Sequence, residues 1–132
     1  MGELAGAGRP QLLLVDDDEA VRDILAALAE YLGFEALVAR NGREALTLTV
    51  RHQHQLRAAV IDDHMPGWSG IETCQHIRRA LPGLPIALTS GYVGGIERLE
   101  SGAQLLLEKP FGLRTLAEAL RRLGVTADSA AA

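Results

Sequence analysis

Carboxylates are concentrated at two places in this sequence, and the chain contains a single lysine. Five of the seven aspartates lie in two groups, Asp16-Asp17-Asp18 and Asp62-Asp63, whereas the ten glutamates are scattered. The thirteen basic residues are twelve arginines and Lys109. A lysine presents a compact ammonium on a flexible stem, so it can enter a narrow site beside a small anion. Since an acidic cluster alone is often a solvated loop or a helix N-cap, its place in the fold has to decide its role.

Five short apolar runs are typical of strands that are buried on both faces. They cover residues 11–15, 35–39, 58–61, 86–89 and 104–107. Four of them lead directly into polar residues, namely Asp16, Asp62, Ser90 and the pair Glu108-Lys109. Both acidic groups and the lysine therefore follow predicted strand ends.

Segments with the 3.6-residue period of amphipathic helices separate these strands. Each of the first three helices has a recognisable start or stop signal. These are an Asp18 N-cap and a Gly33 stop for the first helix, an Asn41 cap for the second, and a capping box at Ser69–Glu72 for the third. Cys74 falls on the apolar face of the third helix, where core packing is expected. A final helix is predicted over 113–123.

The fourth helix is predicted to be short, about 96–101, because only eighteen residues separate Ser90 from Lys109. Five consecutive βα units indicate an α/β fold with parallel strands and right-handed crossovers, so all strand C-termini lie along one edge of the sheet. Ligands of such sheets bind outside those ends. The aspartates, Ser90 and Lys109 are therefore expected to converge on one site.

Three carboxylates at close range repel one another unless a cation lies among them, and hard oxygen ligands suit Mg²⁺. Because Mg²⁺ keeps several waters and is usually shared between carboxylates and phosphate oxygens, the pattern indicates a site for a phosphoryl group. A carboxylate can itself be the nucleophile when a metal, a hydroxyl and a cation neutralise the incoming oxygens. Asp62, Asp16 with Asp17, Ser90 and Lys109 supply that set.

Four motifs, in order and at strand ends, make the chain resemble a response-regulator receiver domain of two-component signalling. They are LLLVDDDE at 12–19, VIDDHMPGWSG at 60–70, LTSGY at 88–92 and EKPF at 108–111. The resemblance covers residues 11–123. It implies a flavodoxin-like doubly wound (βα)5 fold with strand order 2-1-3-4-5.

The resemblance also implies a role for each matching residue. Asp62 corresponds to the phosphoacceptor, and Ser90 and Lys109 to the hydroxyl and the lysine that meet the phosphoryl group. Asp17, Asp62 and the backbone carbonyl of His64 correspond to Mg²⁺ ligands, with Asp16 acting through water. The phosphoryl donor would be the phosphohistidine of a sensor histidine kinase or of a histidine phosphotransfer protein. Lys109-Pro110 would be a cis peptide.

Three further positions near the site require separate predictions. Leu106 stands where the family usually has an aromatic switch residue, three before the lysine, so signalling is expected to differ from the usual aromatic movement. Asp63 has no matching role and is expected to be solvated. Tyr92, two residues beyond Ser90, is predicted to shield the phosphoryl group partly from water.

Composition bounds the remaining possibilities. The chain has 132 residues, of which 48% are hydrophobic, a net charge of −4 and a pI near 5.5, which argues against direct nucleic-acid binding. No apolar run approaches the roughly 20 residues of a membrane span, and with one cysteine and no secretory pattern we expect a cytoplasmic protein. Residues 1–10 and 124–132 are expected to be disordered tails around a domain at 11–123.

Other functions are compatible with parts of the pattern. A nucleotide-binding enzyme would need a glycine-rich turn after the first strand, where three aspartates stand. An aspartyl phosphatase would have a second acid at the position of His64. The main alternative is a receiver-like interaction module that is never phosphorylated. The preferred interpretation is that the chain is a phosphoacceptor. It would not be a conventional enzyme, because it would catalyse only its own phosphorylation and dephosphorylation.

Overall fold

A five-stranded parallel sheet forms the centre of the domain. A computed structural model of the chain describes residues 8–92 and 102–127. The strands are β1 (Gln11–Val15), β2 (Glu35–Ala39), β3 (Leu56–Asp62), β4 (Ile86–Ser90) and β5 (Leu105–Glu108). Their order is β2-β1-β3-β4-β5 with every neighbouring pair parallel, as predicted. β3 begins two residues earlier than the apolar run indicates and includes Asp62 itself.

Four helices lie within the described residues. They are α1 (Glu19–Tyr31), α2 (Gly42–Arg51), α3 (Gly70–Ala80) and α4 (Leu113–Arg122). The predicted caps are confirmed, because the side chains of Asp18, Asn41 and Ser69 each accept a backbone N–H of the first helical turn. Gly33 follows α1 with φ +98°, a left-handed conformation that suits glycine. The short helix predicted at about 96–101 lies outside the described residues.

The helices cover both faces of the sheet. On one face α2 and α3 contribute Ala45, Cys74 and Ile77 to a buried cluster with the strands. On the other face α1 and α4 contribute Leu25, Ala29, Leu116 and Leu120 to a second cluster. Because both faces are covered, β1 and β4 are buried along their whole length, which explains the apolar residues that make up most of each strand.

The packed domain extends past the predicted limits of 11 and 123. Pro10 is buried and its carbonyl accepts the N–H of Glu35 at 2.8 Å. Val125 is also buried, and its N–H donates to Leu120 O at 2.8 Å. The folded domain therefore includes Pro10 and Val125, which were expected to lie in the tails. The alanine- and glycine-rich composition of the C-terminal segment does not indicate that a valine within it packs on the domain.

Among the helices in the described ranges, we find none with the length and apolar character of a membrane span.

Candidate functional site

The C-terminal ends of four strands bring the predicted residues to one edge of the sheet. Asp16 follows β1, Asp62 ends β3, Ser90 ends β4 and Lys109 follows β5. Asp16, Asp62 and Ser90 are buried, at 1%, 4% and 8% exposure. They line a cleft of about 970 Å³ together with Asp17 and Lys109. Parallel topology, rather than proximity in the chain, assembles this site.

Lys109 bridges two of the carboxylates. Its Nζ lies 3.0 Å from Asp62 Oδ1 and 3.1 Å from Asp16 Oδ2. The other oxygen of Asp16, Oδ1, accepts the N–H of Asp18 at 3.0 Å. Both oxygens of Asp16 are thus engaged, and the ammonium is held between residues 93 and 47 positions away in sequence.

The environment shifts the pKa of both members of the Lys109–Asp62 pair upward. Burial is the largest influence on Asp62 and raises its pKa, assisted by the negative charge of Asp16, while the hydrogen bond from Lys109 opposes the shift. Burial acts against the charged form of Lys109, but its hydrogen bonds to Asp62 and Asp16 outweigh it and raise the pKa of the lysine. The carboxylate thus carries its charge at a cost that a further cation would relieve.

The three aspartates form a set that fits a divalent cation. Ligand oxygens of Asp16, Asp17 and Asp62 all lie within 4.8 Å of one another. Asp17 is exposed, so one side of the set opens to solvent and to a ligand. All the donors are carboxylate oxygens, which is the chemistry that Mg²⁺ prefers.

Residues 63 and 64 lie beside this set and differ from each other in exposure. The Asp63 side chain is 18% exposed and lies 3.5 Å from His64 Nδ1 through Oδ2, so it is less solvated than expected, although it still lines the cleft. Its backbone is held on both sides, because its N–H donates to Thr89 O and its carbonyl accepts the N–H of Gly70. The His64 side chain is 97% exposed, which leaves the backbone of this residue as its predicted contribution to the site.

The other side of the cleft is formed after β4 and β5. Ser90 Oγ lies 3.2 Å from both the N–H and the carbonyl of Tyr92. Tyr92 is 73% exposed and lines the cleft. Lys109-Pro110 is a cis peptide, as the resemblance implied. Leu106 is half-buried and packs against the core.

Arg22 lies next to the site and was not among the residues predicted from the sequence. Arg22 lies near the start of α1, and its guanidinium donates a hydrogen bond of 2.9 Å to the backbone carbonyl of Asp16. The helix N-cap at Asp18 places residue 22 one turn along the same helix, so the helical period was the signal that could have identified it. The contact anchors the turn that carries the acidic group.

Comparison with known proteins identifies this arrangement. The family model "Response regulator receiver domain" matches residues 12–121. The chain belongs to the response-regulator receiver domain family. It is therefore a module of two-component signalling, and the comparisons lend no support to the alternative of an unphosphorylated interaction module.

Two curated relatives show how much of a longer protein the receiver domain represents. An uncharacterized transcriptional regulatory protein of Bacillus subtilis, YrkP, is 38% identical over 76% of this chain and 43% of its own length. The response regulator MprA of Mycolicibacterium vanbaalenii is 36% identical over 86% of this chain and 49% of its own length. The chain spans about half the length of these relatives.

Solved receiver domains share the fold. The receiver domain of the hybrid histidine kinase CckA is 31% identical with a TM-score of 0.73, covering 86% of this chain and 97% of that one. The response regulator TrrA of Thermotoga maritima, solved in complex with Mg²⁺ and BeF, is 29% identical with a TM-score of 0.75, covering 86% and 98%.

Proposed function

We propose that Asp62 accepts a phosphoryl group and that the cleft around it transmits this event to a partner. The observation that carries the proposal is the position of the Asp62 carboxylate. It is buried at the end of β3, is contacted by the ammonium of Lys109 at 3.0 Å, and still faces an open cleft. An ionised carboxylate with a cation at this distance can act as a nucleophile toward phosphorus, because the charge of the phosphoryl oxygens is neutralised where they arrive.

The aspartate set would hold Mg²⁺ beside the phosphoacceptor. Asp17 and Asp62 would bind the ion directly, Asp16 through water, and the backbone carbonyl of His64 would complete the protein ligands. When bound, Mg²⁺ neutralises negative charge on carboxylate and phosphoryl oxygens. The donor chemistry of the three aspartates supports this assignment, as does the resemblance to TrrA, whose structure contains Mg²⁺ and BeF.

Transfer takes place by displacement at phosphorus. An oxygen of Asp62 forms the new O–P bond while the N–P bond of the donor phosphohistidine breaks, and the imidazole nitrogen keeps the bonding electron pair. The ammonium of Lys109 neutralises one phosphoryl oxygen, and the Ser90 hydroxyl donates a hydrogen bond to another. Hydrolysis of the acyl phosphate later restores the carboxylate. The domain therefore catalyses only its own phosphorylation and dephosphorylation, and it is not a conventional enzyme.

The phosphoryl donor would be a sensor histidine kinase or a histidine phosphotransfer protein in the cytoplasm. The likeness to the receiver domain of the hybrid histidine kinase CckA supports a place in histidine-kinase signalling. The net charge of −4 and the acidic cleft disfavour direct binding of this domain to nucleic acid or to an anionic membrane surface. The output would pass through the face that Ser90 and Lys109 form, and with Leu106 it would not depend on an aromatic side chain at that position.

Phosphorylation by a small donor tests the assignment of Asp62 directly. We expect intact-mass measurement to show one added phosphoryl group after incubation with acetyl phosphate and Mg²⁺, and none for Asp62→Asn. Asp63→Asn is the matched control and should still be phosphorylated, because Asp63 contacts neither Lys109 nor the aspartate set. The assignment would be overturned by phosphorylation of Asp62→Asn, or by loss of phosphorylation in Asp63→Asn alone. If the wild type is modified neither by acetyl phosphate nor by the cognate kinase, the alternative of an unphosphorylated interaction module replaces this assignment.

A further inference from the structure

A second groove lies next to the phosphorylation cleft and has a different charge. It is about 740 Å³ in volume and runs between the turn before α2 and the loop after β3. Arg40 and Arg43 line it from one side and Pro66–Trp68 from the other. Asp17 and Pro66 also line the phosphorylation cleft, so the two depressions adjoin each other. We call this region the arginine groove, and apart from Asp17 its residues take no part in the proposed phosphoryl chemistry.

Trp68 is held in a fixed orientation beside the groove. Its ring stacks on that of His76 in α3, with centroids 3.8 Å apart and planes 8° from parallel. The guanidinium of Arg43 lies 4.6 Å from the indole centroid. At Gly42 an added Cβ would lie 2.9 Å from Trp68 Cε3 and 2.2 Å from Thr73 Oγ1, so α2 approaches the indole and α3 at close range. Stacking and packing thus order the aromatic ring before any partner binds.

The two arginines of the groove have N–H donors that are available to a ligand. Within residues 8–92 and 102–127, the Arg43 guanidinium contacts the indole and has no hydrogen bond or ion pair. The Arg40 side chain is 70% exposed, and its Nε lies 3.7 Å from Glu44 Oε1. That glutamate oxygen already accepts the backbone N–H of Arg40 at 2.7 Å. Two guanidinium groups therefore face solvent together in a chain whose net charge is −4.

We propose that the arginine groove binds an acidic peptide segment of a partner protein. Guanidinium groups match carboxylates through paired N–H donors, and the stack on Trp68 lowers the entropy lost when Arg43 binds. A rigid tryptophan next to an arginine is also the composition of many interface centres. The acidic side chains would lie at the Arg40–Arg43 end, because Asp17 makes the opposite end repulsive. This binding requires no phosphoryl group and so goes beyond the function proposed above.

The single tryptophan makes the proposal measurable. We would titrate the full chain with a hexaglutamate peptide at low ionic strength in EDTA, following Trp68 fluorescence and, in parallel, heat by calorimetry. Saturable binding is expected for hexaglutamate and not for hexaglutamine. Arg43→Gln and Arg40→Gln should each weaken it by about tenfold, which corresponds to ~1.4 kcal/mol. Arg122→Gln is the matched control, because it removes an exposed arginine at the end of α4, outside the groove.

Each outcome decides the proposal. Equal affinity in Arg43→Gln and Arg122→Gln, or the absence of calorimetric binding in the wild type, would overturn it. Saturation by inorganic phosphate with displacement of the peptide would also overturn it, in favour of a small-anion site. Since every arm is run without Mg²⁺ or a phosphoryl donor, failure here leaves the phosphorylation test unaffected. Loss of phosphorylation in Asp62→Asn likewise says nothing about the groove.

Discussion

The Asp62 carboxylate is largely buried at one side of the open cleft. Its exposure is 4%, and Lys109 provides one hydrogen bond to Oδ1. Burial raises the pKa of this carboxyl, and the nearby charge of Asp16 adds to the shift. A carboxyl whose pKa is higher in the folded than in the unfolded protein favours folding at low pH. That contribution is lost as the pH rises through the folded pKa, so the ionised group destabilises the metal-free protein at neutral pH.

Replacing Asp62 by a neutral isostere should therefore stabilise the metal-free domain. We expect Asp62→Asn to raise the Tm by a few degrees at pH 7.5 in EDTA, because the buried charge is removed while Lys109 keeps its contact with Asp16. The gain should shrink below the ordinary aspartate pKa of 3.8, where the wild-type carboxyl is protonated as well. Calorimetry at pH 7.5 and at a pH below 3.8 checks this expectation, with Asp63→Asn for comparison. A lower Tm at pH 7.5 would contradict the expected charge penalty.

Tyr92 belongs to the same cleft and bears on the lifetime of the acyl phosphate. It is 73% exposed and its backbone contacts Ser90 Oγ, so its ring can cover the mouth of the cleft. Tyr92→Ala should dephosphorylate faster by about 2- to 10-fold, at most ~1.4 kcal/mol of barrier. Tyr31→Ala, on α1 and 78% exposed, should decay at the wild-type rate. An unchanged rate in Tyr92→Ala would exclude shielding by this side chain.

The pattern of strands in the sequence made part of the site predictable. Asp16, Asp62 and Lys109 could be placed together because each follows or ends an apolar run and parallel strands share an edge. The partial burial of the Asp63 side chain was not predictable, because it depends on the tertiary packing around a backbone that is bonded to Thr89 and Gly70.

The start of α3 is fixed to the backbone of the phosphoacceptor strand. Gly70, the first residue of α3, lies so close to β3 that a Cβ there would be 2.3 Å from Asp62 O and 2.6 Å from Asp63 Cα. The capping box of Ser69 and Glu72 sets the direction of the helix at this contact. The box was predictable from four consecutive residues, whereas the close approach depends on tertiary packing that only the structure shows.

A methyl group at position 70 should disturb both stability and phosphorylation. We expect Gly70→Ala to cost about 1–3 kcal/mol of unfolding free energy, because the backbone around Asp62 must move to make room. Its rate of phosphorylation by acetyl phosphate should fall as well. Gly83→Ala is the matched control, since a Cβ there meets nothing within 4 Å and the residue has no positive φ. Chemical denaturation and intact-mass kinetics measure the two effects, and equal behaviour of the two variants would refute the steric argument.

In the described part of the chain, helices cover both faces of the sheet, and Val125, which follows α4, packs on one of these faces. Val125 is 6% exposed and packs in the same cluster as Phe34 and Leu120. The sheet order and the two helix layers follow from the βα alternation in the sequence, so they were predictable. The packing of Val125 was not predictable, because one valine among small residues gives no periodic signal.

The contribution of Val125 to stability can be measured by comparing two valines. Val125→Ala should lower the unfolding free energy by about 1–2 kcal/mol, because two buried methyl groups are removed. Val50→Ala on α2 makes the same chemical change at a side chain that is 51% exposed, and should cost less than about 0.5 kcal/mol. Urea denaturation of both variants provides the comparison. If the two losses were equal, residue 125 would not belong to the folded core.

Cys74, buried in α3, has a practical consequence for labelling chemistry. It is the only cysteine in the chain, its side chain is fully buried, and burial raises the pKa of its thiol to about 12. Maleimides and similar reagents react with accessible thiolate, which this residue does not present in the native protein. A cysteine introduced at an exposed site such as Tyr31 would therefore be the single reactive handle. Spin labels or fluorophores can then be attached without first removing the native thiol from the core.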